Sequence, residues 1–267
     1  MPQHLKSAIM LMLLIFTASI RASAEQLVNV KETADGVQTR AGEAAGWKDV
    51  DKEASVKTGH TVKTGAGAKA VLTWFDGYAL RMDPLTMLEI ETVEAMGETR
   101  KTSLKMSSGR LVARAPKLKT KDSTFTIQTP TAVTGVRGTA FEVLITEDNQ
   151  TIVTCIEDAV FVASEAAEVI LDPGFTTTVL PDTPPAEPAP APQEQIDLLK
   201  KEVESIAPAE DDAGADSGDS APADSEDTAD KAAEQAHENV QGIIQQVIDD
   251  AVDQSTQDSM EDHHYPY

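Results

Sequence analysis

Few side chains in this 267-residue sequence have the types and spacing that catalysis or metal binding requires. His60 is the one histidine among the predicted strands, and its Gly- and Thr-rich surroundings favour a solvated turn residue over a general base. The other four histidines lie near the chain ends, at residues 4, 237, 263 and 264. With Cys155 as the single cysteine, the sequence offers no zinc-ligand set, and it contains neither a Gly-x-Ser-x-Gly elbow nor a phosphate loop. We therefore predict that the protein is not an enzyme and binds no metal ion or cofactor.

Acidic residues are concentrated in the last third of the chain. The net charge is −23, and 23 of the 45 acidic residues but only 3 of the 22 basic residues follow residue 181, so this part carries −20 and the part before it −3. Nucleic acids and anionic lipid headgroups bind basic surfaces, so we exclude both as partners. Acidic runs such as Glu210 to Asp212 could hold calcium weakly, although a solvated tail is the favoured interpretation.

The N-terminus has the layout of a secretory signal peptide. Lys6 precedes an apolar run over residues 8–20, and the small residues 22–24 follow it. This run is shorter than the roughly 20 apolar residues that a membrane span needs. We expect cleavage after Ala24, which removes residues 1–24 and leaves an exported bacterial protein, periplasmic or secreted, without a membrane span.

Between residues 25 and 181, short apolar stretches alternate with Gly, Asp, Asn and Pro, which is typical of strands and turns. The clearest unit is Ala70 to Met82, where two apolar segments flank Asp76 and Gly77. An Asp-Gly pair favours a tight hairpin turn, and apolar residues on both faces predict a central place in a sheet. Cys155 lies in an apolar run and is predicted to be a buried hydrophobe. Further strands are predicted at residues 86–93, 109–113, 124–128, 140–146, 151–156, 160–163, 169–171 and 176–180. The expected fold of residues 25–181 is mostly β, an antiparallel sandwich or roll of many short strands.

The part after residue 181 has a different composition. Residues 182–231 are rich in proline and then in small and acidic residues, and we predict that this linker is disordered. Within it, a short helix is indicated by four apolar residues at helical spacing, Ile196, Leu199, Val203 and Ile206. A stronger amphipathic helix is predicted over residues 232–254, and residues 255–267 are expected to be disordered. Its apolar stripe is a candidate interface for self-association as a coiled coil, or for packing on the first helix, the β domain or another protein. The stripe consists of Val240, Ile243, Ile244, Val247, Ile248 and Val252.

One set of motifs is specific in order and spacing. The run Thr-Pro-Thr-Ala-Val-Thr-Gly-Val-Arg-Gly-Thr-Ala-Phe-Glu-Val at residues 129–143 follows Val-Lys-Thr-Gly at 62–65, Trp-Phe-Asp-Gly at 74–77 and Gly-Arg-Leu-Val at 109–112. Over residues 58–162 the sequence resembles the FecR-type extracytoplasmic domain. It departs at the turn 157–159, where Asp158 stands in place of the family's glycine but can adopt the left-handed conformation with modest strain.

Arg137 is the candidate contact for an anion or a protein partner. It lies between two glycines, where backbone amides could face the same anion. The alternative is structural, with the glycines serving a bulge or tight bend and Arg137 capping carbonyls or pairing with an acid. The residues predicted to be structural are Asp76, Gly77, Gly135, Gly138 and Thr139.

The resemblance implies a binding function and names no catalytic residue. The best-known members of the family relay a signal from an outer-membrane receptor through a membrane span to a cytoplasmic sigma-regulator segment, and we predict neither span nor segment here. We therefore expect an exported, non-enzymatic binding or scaffolding module that recognises a protein partner in the cell envelope. The alternative is a cell-envelope or surface structural protein that binds glycan.

Overall fold

The computed structural model describes residues 24–206 except residues 26, 35 and 76. Several predicted regions lie outside the described residues. They are residues 1–23 of the predicted signal peptide, Asp76, the linker from residue 207, the predicted helix 232–254 with its six interface residues, and the C-terminal residues. The described part forms one helix, α1 (Gln193–Ile206), and 18 strands. The strands are β1 (Ala24–Glu25), β2 (Val28–Ala34), β3 (Val37–Ala41), β4 (Lys48–Asp49), β5 (Glu53–Val56), β6 (His60–Thr64), β7 (Lys69–Trp74), β8 (Tyr78–Met82), β9 (Met87–Met96), β10 (Thr99–Arg114), β11 (Thr124–Gln128), β12 (Val133–Val136), β13 (Ala140–Ile145), β14 (Thr151–Cys155), β15 (Val160–Ala163), β16 (Glu168–Leu171), β17 (Phe175–Val179) and β18 (Ala189–Pro190).

The strands form two sheets that share the long strand β10. Sheet 1 has the order β4-β3-β6-β9-β10-β11-β12-β15-β16, and β1 also pairs with β9. Sheet 2 has the order β5-β2-β7-β8-β10-β13-β14-β17-β18. The first part of β10, up to Ser108, pairs in sheet 1, and its last part, Gly109–Arg114, pairs in sheet 2. This architecture confirms the predicted mostly-β sandwich of many short strands.

Strand β10 passes from one sheet to the other at Gly109. The φ angle of this glycine is +93°, and a Cβ atom there would lie 2.8 Å from the carbonyl oxygen of Leu85. Only glycine fits such a conformation and approach. The chain then returns through residues 115–123 to sheet 1, where β11 runs parallel to β10 with Lys101 beside Thr124. The other described pairings are antiparallel, so this crossing accounts for the one departure from the predicted antiparallel arrangement.

Aromatic side chains from both sheets meet in the core. Trp74 and Tyr78 of sheet 2 stack on Phe125 of sheet 1 with ring centroids 6.0 Å apart, and Phe141 meets Phe125 edge to face at 6.0 Å. The indole Nε1 of Trp74 donates a hydrogen bond to Thr102 Oγ1 at 3.1 Å, which satisfies its polar atom inside the core. The two sheets are therefore joined by packing and by a buried hydrogen bond as well as by β10.

The hairpin predicted at residues 70–82 is confirmed as the pair β7–β8, between β2 and β10 of sheet 2. Trp74 pairs with Tyr78, so the connection has three residues, one more than a two-residue turn. Phe75 and Gly77 have positive φ angles of 48° and 90°. Phe75 therefore belongs to the turn and not to the strand.

The first part of the predicted linker differs from the disorder expected for residues 182–231. Residues 189–190 pair with β17, and α1 packs on the outer face of sheet 2. The four apolar residues predicted from helical spacing are buried, and Leu199 and Val203 contact a patch formed by Val112, Ala140 and Ile156. Burial of this stripe offsets the entropy of ordering the segment, which composition alone does not reveal. The division into domains otherwise stays a prediction.

Candidate functional site

Gly138, in the connection between β12 and β13, holds the motif at residues 129–143, here called the central motif, against a neighbouring loop. Its φ angle is +113°, and a Cβ atom there would lie 2.7 Å from the backbone nitrogen of Lys117 and 2.8 Å from the carbonyl oxygen of Pro116. Backbone cannot move aside for a side chain as a flexible residue can, so this position requires glycine. The observation supports a tight bend with close backbone approach at Gly138.

Hydrogen bonds fix the residues around Gly138. The backbone N–H of Leu118 donates to the carbonyl of Arg137 at 3.2 Å, and that of Ala115 donates to the carbonyl of Thr139 at 2.9 Å. The hydroxyl of Thr139, which is buried, donates to the carbonyl of Glu157. Asp158 follows with a φ angle of 48°, the left-handed conformation expected for this turn.

A basic loop, residues 114–121, lies beside this bend at one end of the sandwich. It contains four basic residues and no acidic one, and Lys117, Lys119 and Lys121 are exposed. Lys117 forms an exposed ion pair with Asp158 at 3.6 Å. The loop is also tied to the β9–β10 turn, since the hydroxyls of Thr120 and Thr99 lie 3.2 Å apart.

Arg137 is half-buried next to the basic loop. Its carbonyl accepts a hydrogen bond from the backbone N–H of Leu118. Its guanidinium forms no hydrogen bond or ion pair within the described residues. The structure thus brings Arg137 and the exposed lysines to the same end of the sandwich. Gly77 of the hairpin lies at this end as well, because a Cβ atom at Gly77 would be 3.8 Å from the Pro116 side chain. Gly135 lies elsewhere, within β12 between Thr126 and Phe161.

The first half of the central motif lines an open cavity of about 400 Å³ at the other end of β12. The hydroxyl of Thr151 lies 2.8 Å from that of Thr129 and 2.7 Å from that of Thr131, so a chain of hydroxyls supports one wall. Two carboxylates, Glu165 and Asp182, also line the cavity. This combination of hydroxyls, carboxylates and a proline is suited to a neutral polar ligand.

A second constellation, the latch cluster, lies under α1 and consists of Arg81, Asp83, Arg110, Glu142 and Glu202. Arg110 donates to Glu142 at 2.5 Å, to Glu202 at 2.7 Å and to Asp83. Arg81 pairs with Asp83 at 3.1 Å and with Glu202 at 2.8 Å. Strands β8 and β10 therefore hold the helix through Glu202, and Gln195 of α1 also donates to Glu142 of β13 at 3.2 Å.

The electrostatics of the latch cluster keep Arg110 and Glu202 charged. Burial alone would lower the pKa of Arg110, but hydrogen bonds to Glu202, Glu142 and Asp83 outweigh it and raise the pKa above its usual range. Burial would raise the pKa of Glu202, yet hydrogen bonds from Arg110 and Arg81 hold it below its ordinary value. Permanently charged groups anchor a helix and do not transfer protons at neutral pH.

Sequence reasoning missed most of the latch cluster. Arg110 and Glu142 enter it only as members of the family motifs at 109–112 and 129–143. A signal was available, because Arg81 and Glu142 are the sole charged residues of the otherwise apolar strands β8 and β13, and both lie opposite Val112 in register. Opposite charges on the two strands that flank β10 indicate a covered polar site on that face.

Cys155 is buried and free, as predicted. Its thiol donates a hydrogen bond to the carbonyl of Glu157 at 3.3 Å, and burial raises its pKa to about 12. The thiol is therefore protonated at neutral pH and is a poor nucleophile. Among the described residues, no group of three or more His, Cys, Asp and Glu side chains has the arrangement of a metal site.

Residues 60–161 match the family model described as FecR protein. Over this range the chain is similar to a FecR-type domain. The FecR match runs from β6 into β15, so it includes the hairpin, β10, the basic loop and the bend at Gly138. It confirms the resemblance inferred from the sequence motifs, whereas the strands before β6 and the helix α1 lie outside the matched range.

Two solved structures are similar to part of this chain, both of a proposed anti-sigma factor from Parabacteroides distasonis, at 1.65 and 2.50 Å resolution. Each is 17% identical with a TM-score of 0.43, and the alignment covers 51% of this chain and 62% of the other. This chain thus aligns with less than two thirds of that protein. No curated protein matches the sequence. The one helix described in residues 24–206 lacks the length and apolar character of a membrane span.

Proposed function

We propose that this protein is an exported, non-enzymatic binding or scaffolding module of FecR type, which recognises a protein partner in the cell envelope. The observation that carries the proposal is the basic loop, which is hydrogen-bonded to Arg137 at Leu118 and exposes Lys117 and Lys119 on either side of that contact. The bend at Gly138 fixes the loop backbone, so the cations are presented on a rigid support. Preorganised charge of this kind favours recognition, because little ordering entropy is lost when a partner binds.

The partner expected for this surface is a protein with an acidic patch. Glu157 and Asp158 lie at the edge of the same surface, so the contact depends on the arrangement of charge and not on a large net positive field. Arg137 adds a planar donor set that suits a carboxylate.

A pulldown from envelope extract tests this function. We compare the wild type with Arg137→Ala and with the double variant Lys117→Ser, Lys119→Ser. Because an exposed ion pair contributes up to about 1 kcal/mol, the double variant should bind a captured partner roughly threefold to tenfold more weakly. The matched control is Lys48→Ser, Lys200→Ser, which removes two exposed lysines elsewhere and should leave binding unchanged. Equal affinity of all four proteins would exclude the basic loop as the contact.

A second candidate, glycan binding by an envelope structural protein, is supported by the cavity beside Thr129 and Thr131. Retention on purified cell-wall polysaccharide, lost in Glu165→Gln, would favour it. Retention that is the same for wild type and Glu165→Gln, or absent in both, would argue against this cavity as a glycan site.

A further inference from the structure

The outer face of sheet 1 carries a tryptophan in contact with two cations, here called the Trp47 cluster. It consists of Arg40 of β3, Trp47 before β4, and Lys63 of β6. Gln38 pairs with Lys63 and side chains alternate along a strand, so Arg40 and Lys63 share the face opposite the core residue Val62. The guanidinium carbon of Arg40 lies 4.8 Å and the ammonium nitrogen of Lys63 3.9 Å from the centroid of the Trp47 ring. The two cations are therefore no more than about 9 Å apart.

The two cations of the Trp47 cluster have no anionic partner. Both are half-buried, and among the described residues neither side chain forms an ion pair or a hydrogen bond. The Nε of Arg40 is buried without an acceptor. Asp49 on the neighbouring strand β4 accepts a hydrogen bond from the side chain of Gln38 at 2.6 Å and pairs with neither cation. Because partly buried charges and donors are normally paired, this arrangement indicates that the acceptor comes from a ligand.

We propose that the Trp47 cluster binds one phosphate group, which Arg40 and Lys63 contact together. A phosphate monoester carries a charge of about −1.5 to −2 at neutral pH, which matches two cations better than a carboxylate does. The guanidinium offers planar paired donors and the ammonium a compact charge, and both groups are common phosphate ligands. Contact with the Trp47 ring restricts both side chains, so that less conformational entropy is lost when the anion binds.

The strands on either side of the Trp47 cluster limit the size of the ligand. Asp49 of β4 and Glu89 of β9 lie on the same face as the cluster, one on each side of it. Further negative charges on the ligand would therefore meet carboxylates, which selects against extended polyanions. The ligand is free phosphate, or a small molecule with one phosphate and an otherwise uncharged body. The cluster shares no residue with the basic loop, so this site is additional to the proposed protein contact.

Nuclear magnetic resonance of the full, ¹⁵N-labelled chain tests the site, because the chain has only two tryptophans. Sodium phosphate is added at constant ionic strength, and the indole N–H signal of Trp47, assigned with Trp47→Phe, is followed. It should move along a saturable curve with half-saturation at about 1–10 mM, as two charge-assisted contacts at a half-exposed site support weak binding. The signal of Trp74 should stay in place, since its indole is buried and bonded to Thr102. Tighter binding of glucose 6-phosphate than of phosphate would identify a phosphate ester as the ligand, and equal binding free phosphate.

Three variants separate a phosphate site from general attraction to positive charge. Arg40→Gln and Lys63→Gln should each weaken phosphate binding about tenfold. The matched control is Lys105→Gln, an exposed lysine of β10 that pairs with Glu89 in register and does not touch the ring, and it should bind like the wild type. A shift of the Trp47 signal that does not saturate, or equal weakening in all three variants, would overturn the proposal. Only the purified chain and small anions are used, so failure here leaves the proposed partner binding at the basic loop unaffected.

Discussion

Replacing Glu202 with glutamine tests whether the latch cluster holds α1 on sheet 2. The carboxylate pairs with Arg110 at 2.7 Å and with Arg81 at 2.8 Å, and an amide keeps the shape of the side chain but loses its charge. The change should weaken the docking of α1 without disturbing the sheets, because both arginines keep Asp83 as a partner.

The size of the effect follows from the exposure of the three side chains. Ion pairs at a fully exposed site contribute about 0–1 kcal/mol, and removing one partner from a fully buried pair costs about 3–5 kcal/mol. The side chains of Arg81, Glu202 and Arg110 are 12%, 19% and 22% exposed, which places the site between these limits. With Asp83 retained, we expect a loss of about 1–2 kcal/mol in the free energy that opens α1.

Amide hydrogen exchange at neutral pH measures this opening directly. The amides of α1 should exchange about 5 to 30 times faster in Glu202→Gln, and those of β13 and β14 should not change. Glu204→Gln is the matched control, because Glu204 is exposed on the same helix. If the amides of α1 exchange equally fast in the two variants, or if the amides of β13 and β14 also exchange faster in Glu202→Gln, the latch cluster is not what holds α1.

The pH dependence supplies an independent check. Because hydrogen bonds from the arginines hold the pKa of Glu202 below its ordinary value of 4.5, its contribution is present above about pH 4.5 and is lost as the pH falls through the lower folded value. Protection of α1 in the wild type, corrected for intrinsic exchange, should therefore fall on acidification. The same acid response in Glu202→Gln would contradict the assignment to this carboxylate.

Three further predictions concern the bend, the thiol and the core. Gly138→Ala should lower the free energy of unfolding by about 2–4 kcal/mol and the melting temperature by about 5–15 °C, because the new Cβ meets the Lys117 backbone. Arg137→Ala should change the free energy of unfolding by less than about 0.5 kcal/mol, and equal melting temperatures for the two variants would contradict the close approach. Cys155 should resist thiol reagents at pH 8 in the native protein and react with them in denaturant, and full labelling of the native state would refute this. The free energy of unfolding should fall between pH 9 and 12, because the thiol ionises in the unfolded chain over this range but not in the folded one. Phe125→Ala should cost about 3–5 kcal/mol in urea unfolding and change Trp74 fluorescence, and a loss below about 1 kcal/mol would show that the aromatic stack is not central to the core.

Alternating patterns and turn residues were sufficient to predict most of the strands. The β7–β8 hairpin and the strands at 124–128 and 160–163 were placed correctly, because their apolar residues recur with the period of a strand and are bounded by turn residues. The helical spacing from Ile196 to Ile206 likewise predicted α1, although composition suggested disorder around it.

The sequence could not reveal what depends on contacts between distant segments. Gly109 and Gly138 are required by backbone that approaches from residues 85 and 117, and nothing beside either glycine in the sequence shows this. The pairing of Glu202 with Arg110 joins residues that are 92 positions apart, and it exists only because α1 folds back on β10. Local propensity carries no information about such partners, so the latch cluster and the parallel pair β10–β11 were missed.

Tension on the C-terminal part of the chain would meet two very different resistances. It reaches α1 first, which is held by a few apolar side chains, by Glu202 and by the hydrogen bond from Gln195 to Glu142. Only then does it reach β18 and β17, which are hydrogen-bonded into sheet 2. The helix therefore detaches from sheet 2 before the sandwich unfolds. A pull transmitted through the tail would release the outer face of sheet 2, with Arg81 and Arg110 uncovered, while the surface around Arg137 stays intact.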